Sequence, residues 1–419
     1  MFKDFETTKN WIENIKRFGS KLDLSRMTKV LARLGNPEKA YKTIHVAGTN
    51  GKGSTASYIK NILVEAGFKV GIYISPYIVK FNERIAIGDT YISDEAVMLY
   101  ANQLLPIWDE FNDINDTITF FEVLTIICFL YFKDQAVDYG VIEVGLGGTL
   151  DATNVIMPEV SVITNISYDH MNVLGNTLES IAMNKLGIVK EGVPLVTSVE
   201  NKDLYPLFLE TTDKMHSPLT IIDFQAIKDI CVRETTTFIY QDESYELTLT
   251  GFHQVKNAVL AIETIRILAE RDNLVIESKT IKQGLKKTRW PGRFEIFNHK
   301  IILDGAHNIG GVEALKETMT EVYKDKYIKC LVSIMHDKEH QKIINVLDSF
   351  CDEIYFTQIE YPRRADAQVL FGESHNAHKS MENDYKTLFT RLSDLKENEV
   401  LLVTGSLYFI SEIRKLLVH

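Results

Sequence analysis

Thr43-Ile44-His45-Val46-Ala47-Gly48-Thr49-Asn50-Gly51-Lys52-Gly53-Ser54 is the stretch on which the reading of this chain turns. Its first five residues are a β-branched run, and a helical stripe of Ile59, Ile62, Leu63 and Ala66 follows, with Gly67 as its stop. A glycine-rich turn from strand to helix aims backbone N–H groups and the helix N-terminus at one point, which suits phosphate oxygens. Gly51 and Gly53 let the backbone approach a ligand closely. Lys52 adds a positive charge near the β- and γ-phosphates, and a hydroxyl at Ser54 or Thr55 suits Mg²⁺. The full G-x-x-x-x-G-K-[ST] pattern is absent, because Gly53 follows the lysine directly. An ordinary glycine-rich turn with a solvated lysine is the plainer reading. Seven specified positions between a strand and a helix weigh against it.

Outward from this loop, short apolar runs alternate with amphipathic segments. Strands are expected at 43–47, 70–75, 139–144, 160–166 and 194–199, then at 300–303, 329–335, 353–359 and 399–404. Several are apolar at successive positions, as parallel strands covered on both faces are. The alternation predicts an α/β chain in two domains. The N-terminal one, 1–296, is a P-loop ATPase-like domain with a mainly parallel sheet and a small antiparallel β insertion at roughly 203–250. The C-terminal one, 297–419, is a Rossmann-like α/β domain. Arg289-Trp290-Pro291-Gly292-Arg293 punctuates the chain near the boundary.

Composition narrows the function classes. The chain has 419 residues, 45% hydrophobic and 25% charged, so it has apolar surface enough for large cores. A net charge of −11 argues against a general nucleic-acid binder. The apolar run 123–132 is too short for a membrane span and reads as a buried helix. Four cysteines without paired spacing exclude a disulfide scaffold and a cysteine-rich zinc module. With no signal peptide in the polar N-terminus, a cytoplasmic protein is expected.

Further candidates sit at other strand ends. Glu143 precedes Gly145-Leu146-Gly147-Gly148, where open α/β sheets place ligands, and a carboxylate there is either paired with a cation or set beside Mg²⁺. His170 follows the strand at 160–166 and reads either as a structural group or as part of the same cleft. Lys185, taken alone, reads as a surface lysine. Asp304-Gly305-Ala306-His307-Asn308 is a strand-exit turn in which Asp304 suits ribose hydroxyls and His307 suits phosphates. Arg293 is either a salt-bridge partner or a phosphate clamp.

Together these motifs resemble the folylpolyglutamate synthase / dihydrofolate synthase family, within the ATP-dependent amide ligases that include the Mur enzymes. The ordered series covers nearly the whole chain: Leu34–Pro37, Ile44–Ser54, Ser75-Pro76-Tyr77, Phe81–Ile85, Phe121-Glu122, Glu143–Asn154, Asp169-His170, His253-Gln254, Asn257, Trp290–Arg293, Asp304–Asn308, Asp337-Lys338 and Thr404–Tyr408. The resemblance implies that Thr49, Asn50, Gly51, Lys52, Gly53, Ser54, Asn257, Arg293 and Asp304 contact ATP, with Lys52, Lys185 and His307 as catalytic groups. It implies two Mg²⁺ sites, one through Ser54 and Glu143, the other through Ser75, Glu143 and His170. Lys185 falls where the family carries a carbamylated lysine. Tyr77, Phe81, Arg84 and Ser406 are the implied substrate contacts.

The implied reaction joins L-glutamate to a folate, and also to dihydropteroate, through an acyl phosphate, with the reactants meeting in a closing cleft. The implied partners are these small molecules, without nucleic acid or membrane, and a monomer is the default. The sequence departs from many relatives at Tyr77, Thr149, Asn184 and Ile309-Gly310, so the pteridine and glutamate pockets stay open. Three rivals are a Mur-type ligase, a nucleotide-hydrolysing switch and a silent binding protein. Only 47 residues precede Gly48, too few for the nucleotide-sugar domain that usually opens a Mur ligase.

Overall fold

The computed structural model describes residues 1–17 and 23–418. Packing divides the chain into two compact units, one of Met1–Ile222 with Asn257–Gly284, the other of Asp223–Lys256 with Leu285–His419. This grouping differs from a cut at 296/297, because residues 223–256 pack with the C-terminal part.

The first unit is built on an eight-stranded sheet in the order β4-β3-β2-β5-β1-β6-β7-β8. Its strands are β1 (Lys42–Ala47), β2 (Val70–Tyr73), β3 (Ile85–Ile87), β4 (Thr90–Tyr91), β5 (Tyr139–Glu143), β6 (Val160–Ile163), β7 (Leu195–Thr197) and β8 (Leu219–Ile221). All neighbours pair in parallel except β2–β3 and β3–β4, which form an antiparallel edge. Every residue of β5 and β6 is buried, which explains their mainly apolar sequence, broken only by Glu143 and Ser161. The helix Lys52–Glu65 packs on β1, β2 and β5. The run 123–132 is a buried helix as expected, Phe120–Asp134, opened by a reciprocal cap between Thr119 and Glu122.

β1 lies between β5 and β6, so the chain leaves β1, passes to β2 on one side, and later returns to both flanks. That reversal is the crevice where open α/β sheets hold ligands. The loops after β1, β2, β5 and β6 carry Lys52, Ser75, Gly145 and His170, and Glu143 is the last residue of β5.

The second unit contains a three-stranded antiparallel sheet of β9 (Ile227–Val232), β10 (Thr236–Tyr240) and β11 (Glu243–Leu247). It also contains a six-stranded sheet in the order β12-β13-β17-β14-β15-β16. Its strands are β12 (Glu295–Phe297), β13 (Ile301–Leu303), β14 (Tyr327–Val332), β15 (Glu353–Gln358), β16 (Lys379–Asp384) and β17 (Glu399–Thr404). Only β12 runs antiparallel. Glu234 pairs with His299 at 2.6 Å, tying the β9–β10 turn to the larger sheet's edge. The expected insertion at 203–250 is therefore shorter. The helix Tyr205–Lys214 and β8 belong to another βα unit of the parallel sheet, and only 227–247 is antiparallel. The stretch 289–293 falls between the helix Ser278–Lys287 and β12, as its punctuation implies.

Among the described residues no helix is long and apolar enough to cross a membrane. All four cysteines are free thiols; Cys128, Cys330 and Cys351 are buried and Cys231 is exposed.

Two buried polar networks brace the first unit. Arg26 donates from Nε to both Glu122 oxygens at 3.0 Å and from Nη1 to Asp116 at 2.8 Å. His45 of β1 lies 2.8 Å through Nε2 from Thr153 Oγ1, which donates to Asp151 Oδ1 at 2.5 Å. The threonine proton is committed to the carboxylate, so His45 Nε2 carries the hydrogen. Burial, and then the Lys190 cation, push the His45 pKa down to about 3.

Each network yields a prediction. Arg26→Ala leaves two buried carboxylates without their cation and is expected to cost about 3–5 kcal/mol in urea denaturation. An unchanged midpoint would refute a bracing role. His45 has its folded pKa below the ordinary 6.5, so the unfolded chain binds its proton first on acidification. Its contribution is complete above pH 6.5 and is lost as pH falls from there toward 3. Half-buried His253, pushed down to about 4 by desolvation and then by the Arg293 and Lys256 cations, adds a second loss in the same direction. Stability measured from pH 7 to 4.5 is expected to fall by up to about 1.4 kcal/mol per unit per histidine. His45→Gln keeps a donor to Thr153 and flattens that slope by one proton.

Candidate active site

In the first unit the phosphate loop is held from behind before any ligand is considered. Gly48 and Gly51 have φ of 147° and 83°, in the region that favours glycine. A Cβ at Gly48 would stand 1.8 Å from Thr164 Oγ1, and one at Gly51 would stand 2.3 Å from Asn257 Oδ1. Asn257 is thus beside the phosphate loop, as its expected role requires. The helix begins at Lys52, and its first-turn N–H groups have no intrahelical acceptor. The N–H groups of Thr49 and Asn50 are already committed to Asn165, through its carbonyl at 3.0 Å and its Oδ1 at 2.7 Å. The amides of Thr49 and Asn50 are thus engaged with Asn165, and the loop amides that face a ligand would be those from Gly51 onward.

Three other expected residues meet this loop. Lys52 Nζ lies 3.9 Å from Glu143 Oε1 and donates to the Thr49 carbonyl at 3.3 Å. Glu143, 4% exposed, accepts from the Ser75 N–H at 3.3 Å. Lys185 is only 3% exposed, so its reading as a surface lysine fails. It donates through Nζ to the Gly48 carbonyl at 2.8 Å. Burial, and then the Lys52 cation, bring its pKa down to about 7, against the opposing pull of Asp169 and Asp151. Ser54 is buried in the helix's first turn.

His170 follows β6 with φ of 50°, and its N–H donates to Asp169 Oδ1 at 2.9 Å. Its side chain is 45% exposed, and Nε2 lies 3.9 Å from Asp169 Oδ1. Among the described residues no three of His, Cys, Asp and Glu gather closely enough to hold a metal by themselves.

The expected substrate loop is an aromatic and cationic cluster. The Arg84 guanidinium lies 4.9 Å from the Tyr77 ring centre and 5.6 Å from that of Phe120, and the Tyr77 and Phe81 rings are 6.2 Å apart. Sequence reasoning missed what shapes it. The Glu83 carboxylate accepts the N–H groups of Ile78, Val79 and Lys80 at 2.7, 3.1 and 2.9 Å, which curls the loop around one anion. Its place inside Phe81–Ile85 was the available signal.

In the second unit Asp304 closes the exit of β13. Its two oxygens accept the N–H groups of Phe294 and Ala306, each at 2.8 Å. Burial raises its pKa, and the nearby Arg293 cation opposes that rise. Asp304 and Arg293 are thus neighbours, but the carboxylate also staples the 293–294 segment to the strand exit. His307 is half-buried, with Nδ1 2.7 Å from the Gly305 carbonyl, so Nδ1 carries the hydrogen. Ser406, 2% exposed, caps the helix Leu407–Leu417 by accepting from the Tyr408 N–H at 3.2 Å. Tyr361 and Tyr408 stack at 4.2 Å, with the Arg363 guanidinium 5.8 and 5.7 Å from their ring centres. That aromatic pair was not anticipated, because nothing local links residues so far apart in sequence.

Comparison with known proteins agrees with this geometry. Residues 46–265 match the model of the Mur ligase middle domain and residues 292–407 that of the Mur ligase glutamate ligase domain. The Bacillus subtilis dihydrofolate synthase/folylpolyglutamate synthase is 39% identical over 432 residues, covering 99% of each chain. The apo form of the L. casei folylpolyglutamate synthase superposes with a TM-score of 0.87 at 29% identity, covering 100% of both chains. E. coli FolC in complex with DHPP and ADP gives a TM-score of 0.87 at 27% identity, covering 99% of this chain and 97% of that one. The chain belongs to the folylpolyglutamate synthase / dihydrofolate synthase family of Mur-type ATP-dependent ligases.

Proposed function

We propose that this ligase joins the amino group of L-glutamate to the carboxylate of a reduced folate, and also to dihydropteroate, giving dihydrofolate. The observation that carries the reading is the meeting of the phosphate loop with Lys52, Glu143, Ser75 and Lys185 at the exits of β1, β2 and β5. That arrangement occurs in a chain matched end to end by synthases of this kind. A carboxylate is a poor electrophile and needs activation. One of its oxygens attacks the γ-phosphorus of ATP, the bond to the β-phosphate oxygen breaks, and an acyl phosphate and ADP result. The glutamate amine then adds to the acyl carbon, loses a proton and expels phosphate.

Residues 1–296 would serve ATP and the folate, and 297–419 would complete the ligase. Lys52, with the loop N–H groups from Gly51 to Ser54, neutralises and orients the triphosphate. Thr49 and Asn50 shape the loop. Asn257, Arg293, Asp304 and His307 remain the proposed nucleotide-facing groups. Tyr77, Phe81 and Arg84 form the proposed acceptor loop, and Ser406 contributes through the helix end it caps.

The residues fit Mg²⁺. Glu143 offers a hard carboxylate oxygen, and Ser54, Ser75 and His170 stand on neighbouring loops. Mg²⁺ held by one or two protein oxygens takes its remaining ligands from phosphate and water. Ser54 with Glu143 would hold one ion, and Ser75, Glu143 and His170 the other. When bound, Mg²⁺ supplies charge neutralisation at the phosphates. Lys185 is proposed to be carbamylated: a buried amine with its pKa near 7 is partly neutral, and a neutral amine adds CO₂ and releases a proton. The product would be an anion where a cation stood. The proposed partners are small molecules, the proposed compartment is the cytoplasm, which four free thiols suit, and a monomer is the default state.

Purified protein given ATP, Mg²⁺ and L-glutamate, with dihydropteroate, tetrahydrofolate or no acceptor, tests the reading by product mass and ADP release. Gain of one glutamate on dihydropteroate, and of one or more on tetrahydrofolate, is expected. ADP without any gain in acceptor mass would overturn it in favour of a hydrolase. Glu143→Ala is expected to lower kcat by about a hundredfold or more. Carbamylation is read by ¹³C NMR in ¹³C-bicarbonate, where one carbamate resonance should vanish in Lys185→Met. Identical spectra would dismiss it.

A further inference from the structure

We infer that Asn165 is a positioning residue for the nucleotide, acting through the phosphate loop rather than by touching the substrate. The inference rests on the nucleotide-binding reading above. β6 ends at Ile163, earlier than its apolar sequence suggests, and the next four residues turn to line the back of the loop. Thr164 donates from its N–H to the Ala47 carbonyl at 2.9 Å and from Oγ1 to the Asn50 carbonyl at 2.6 Å. Asn165 accepts the two consecutive loop N–H groups of Thr49 and Asn50, one through its backbone and one through its side chain. Ser167 exchanges two hydrogen bonds with Thr49 Oγ1, giving its N–H and taking the hydroxyl proton on its carbonyl, each at 3.1 Å.

These bonds do one thing in common. A glycine-rich loop has many conformations, and only one aims its later N–H groups and Lys52 at a single point. The bonds that 164–167 makes to the loop all fall on residues 47–50, upstream of the donors intended for phosphate, while the Thr164 carbonyl accepts from Ser198 Oγ on the other side. The segment is a mould for the entry to the loop. Asn165 is its most replaceable part, because the Asn50 N–H depends on that side chain. Without the amide oxygen, that N–H must find another acceptor or turn toward the phosphates, and the loop must be ordered by the ligand at the ligand's expense. The same segment runs on to Asp169 and His170, so an entry held open also fixes where that turn begins.

The test is direct binding of a non-hydrolysable ATP analogue with Mg²⁺ by calorimetry, beside steady-state KM values for ATP and for the folate acceptor. Asn165→Ala is expected to weaken analogue binding about tenfold or more and to raise KM for ATP in proportion, while KM for the acceptor stays within about twofold. Thr49→Val, which removes the hydroxyl at constant size, should act in the same direction, and Thr49→Ser should restore most of the affinity. If Asn165→Ala does not fold, the Thr49→Val and Thr49→Ser pair decides. A lower Tm with unchanged analogue affinity in the folded variants would make Asn165 merely structural and overturn the inference. A wild-type protein that fails to bind the analogue would instead overturn the nucleotide reading, and this inference with it.

Discussion

The contact between the Lys185 ammonium and the Gly48 carbonyl sets the terms for the rest of the site. It exists because β1 leaves the sheet between β5 and β6, so that loops from both flanks close over its end. A cation placed there is shielded from water, and its pKa falls to about 7. Lys52 is a second cation near it, with Glu143 Oε1 3.9 Å from its Nζ. Two amines thus stand close together at the end of β1, Lys185 buried and Lys52 half-buried, and a change in the charge of one is felt by the other. A shift in the position of β1 would move Gly48, both lysines and Glu143 relative to one another.

A buried charge is costly unless its partners are fixed, and the first unit fixes them in two ways, by the direct ion pairs of Arg26 with Glu122 and Asp116 and by loop N–H groups around other carboxylates. Asp151 is buried with its oxygens on Leu146 and Thr153, and burial raises its pKa against those bonds. Glu83 is satisfied by three N–H groups. Asp304 does the same work in the second unit. In each case a carboxylate organises a turn at a strand exit or beside the sheet's edge, which is where a ligase needs rigid loops.

Much of this was legible in the sequence, and the limits were physical. Both parallel sheets followed from apolar runs such as Val-Ile-Glu-Val at 141–144, because strands covered on both faces must be apolar throughout. The edges were not legible. β3, β4, β8 and β16 are short or partly exposed, and their residues carry little pattern. The phosphate loop was readable because its glycines meet local geometric demands. Lys185 was not readable from its own neighbours, since its burial depends on Gly48, 137 residues away, and only the family resemblance pointed to it. Asn165 and Glu83 were passed over for the same reason. An asparagine after a strand and a glutamate in a loop are common, and their roles appear only when a distant or curled backbone supplies the donors.

The unusual spacing of the loop now has a physical account. In the common phosphate loop several N–H groups before the lysine cradle phosphate oxygens. Here Thr49 and Asn50 give theirs to Asn165, so the cradle is left with fewer donors upstream of Lys52. A glycine directly after the lysine compensates, because Gly53 puts an N–H without a flanking side chain at the helix start. The loop has thereby exchanged donors for rigidity, and in the proposed reading the helix's first turn would carry the phosphate. Such a loop would bind nucleotide through a small number of well-aimed groups, with Lys52 and any bound cation carrying a larger share of the charge. That arrangement suits an enzyme whose γ-phosphate must be accessible to a carboxylate from outside, rather than wrapped for hydrolysis by water.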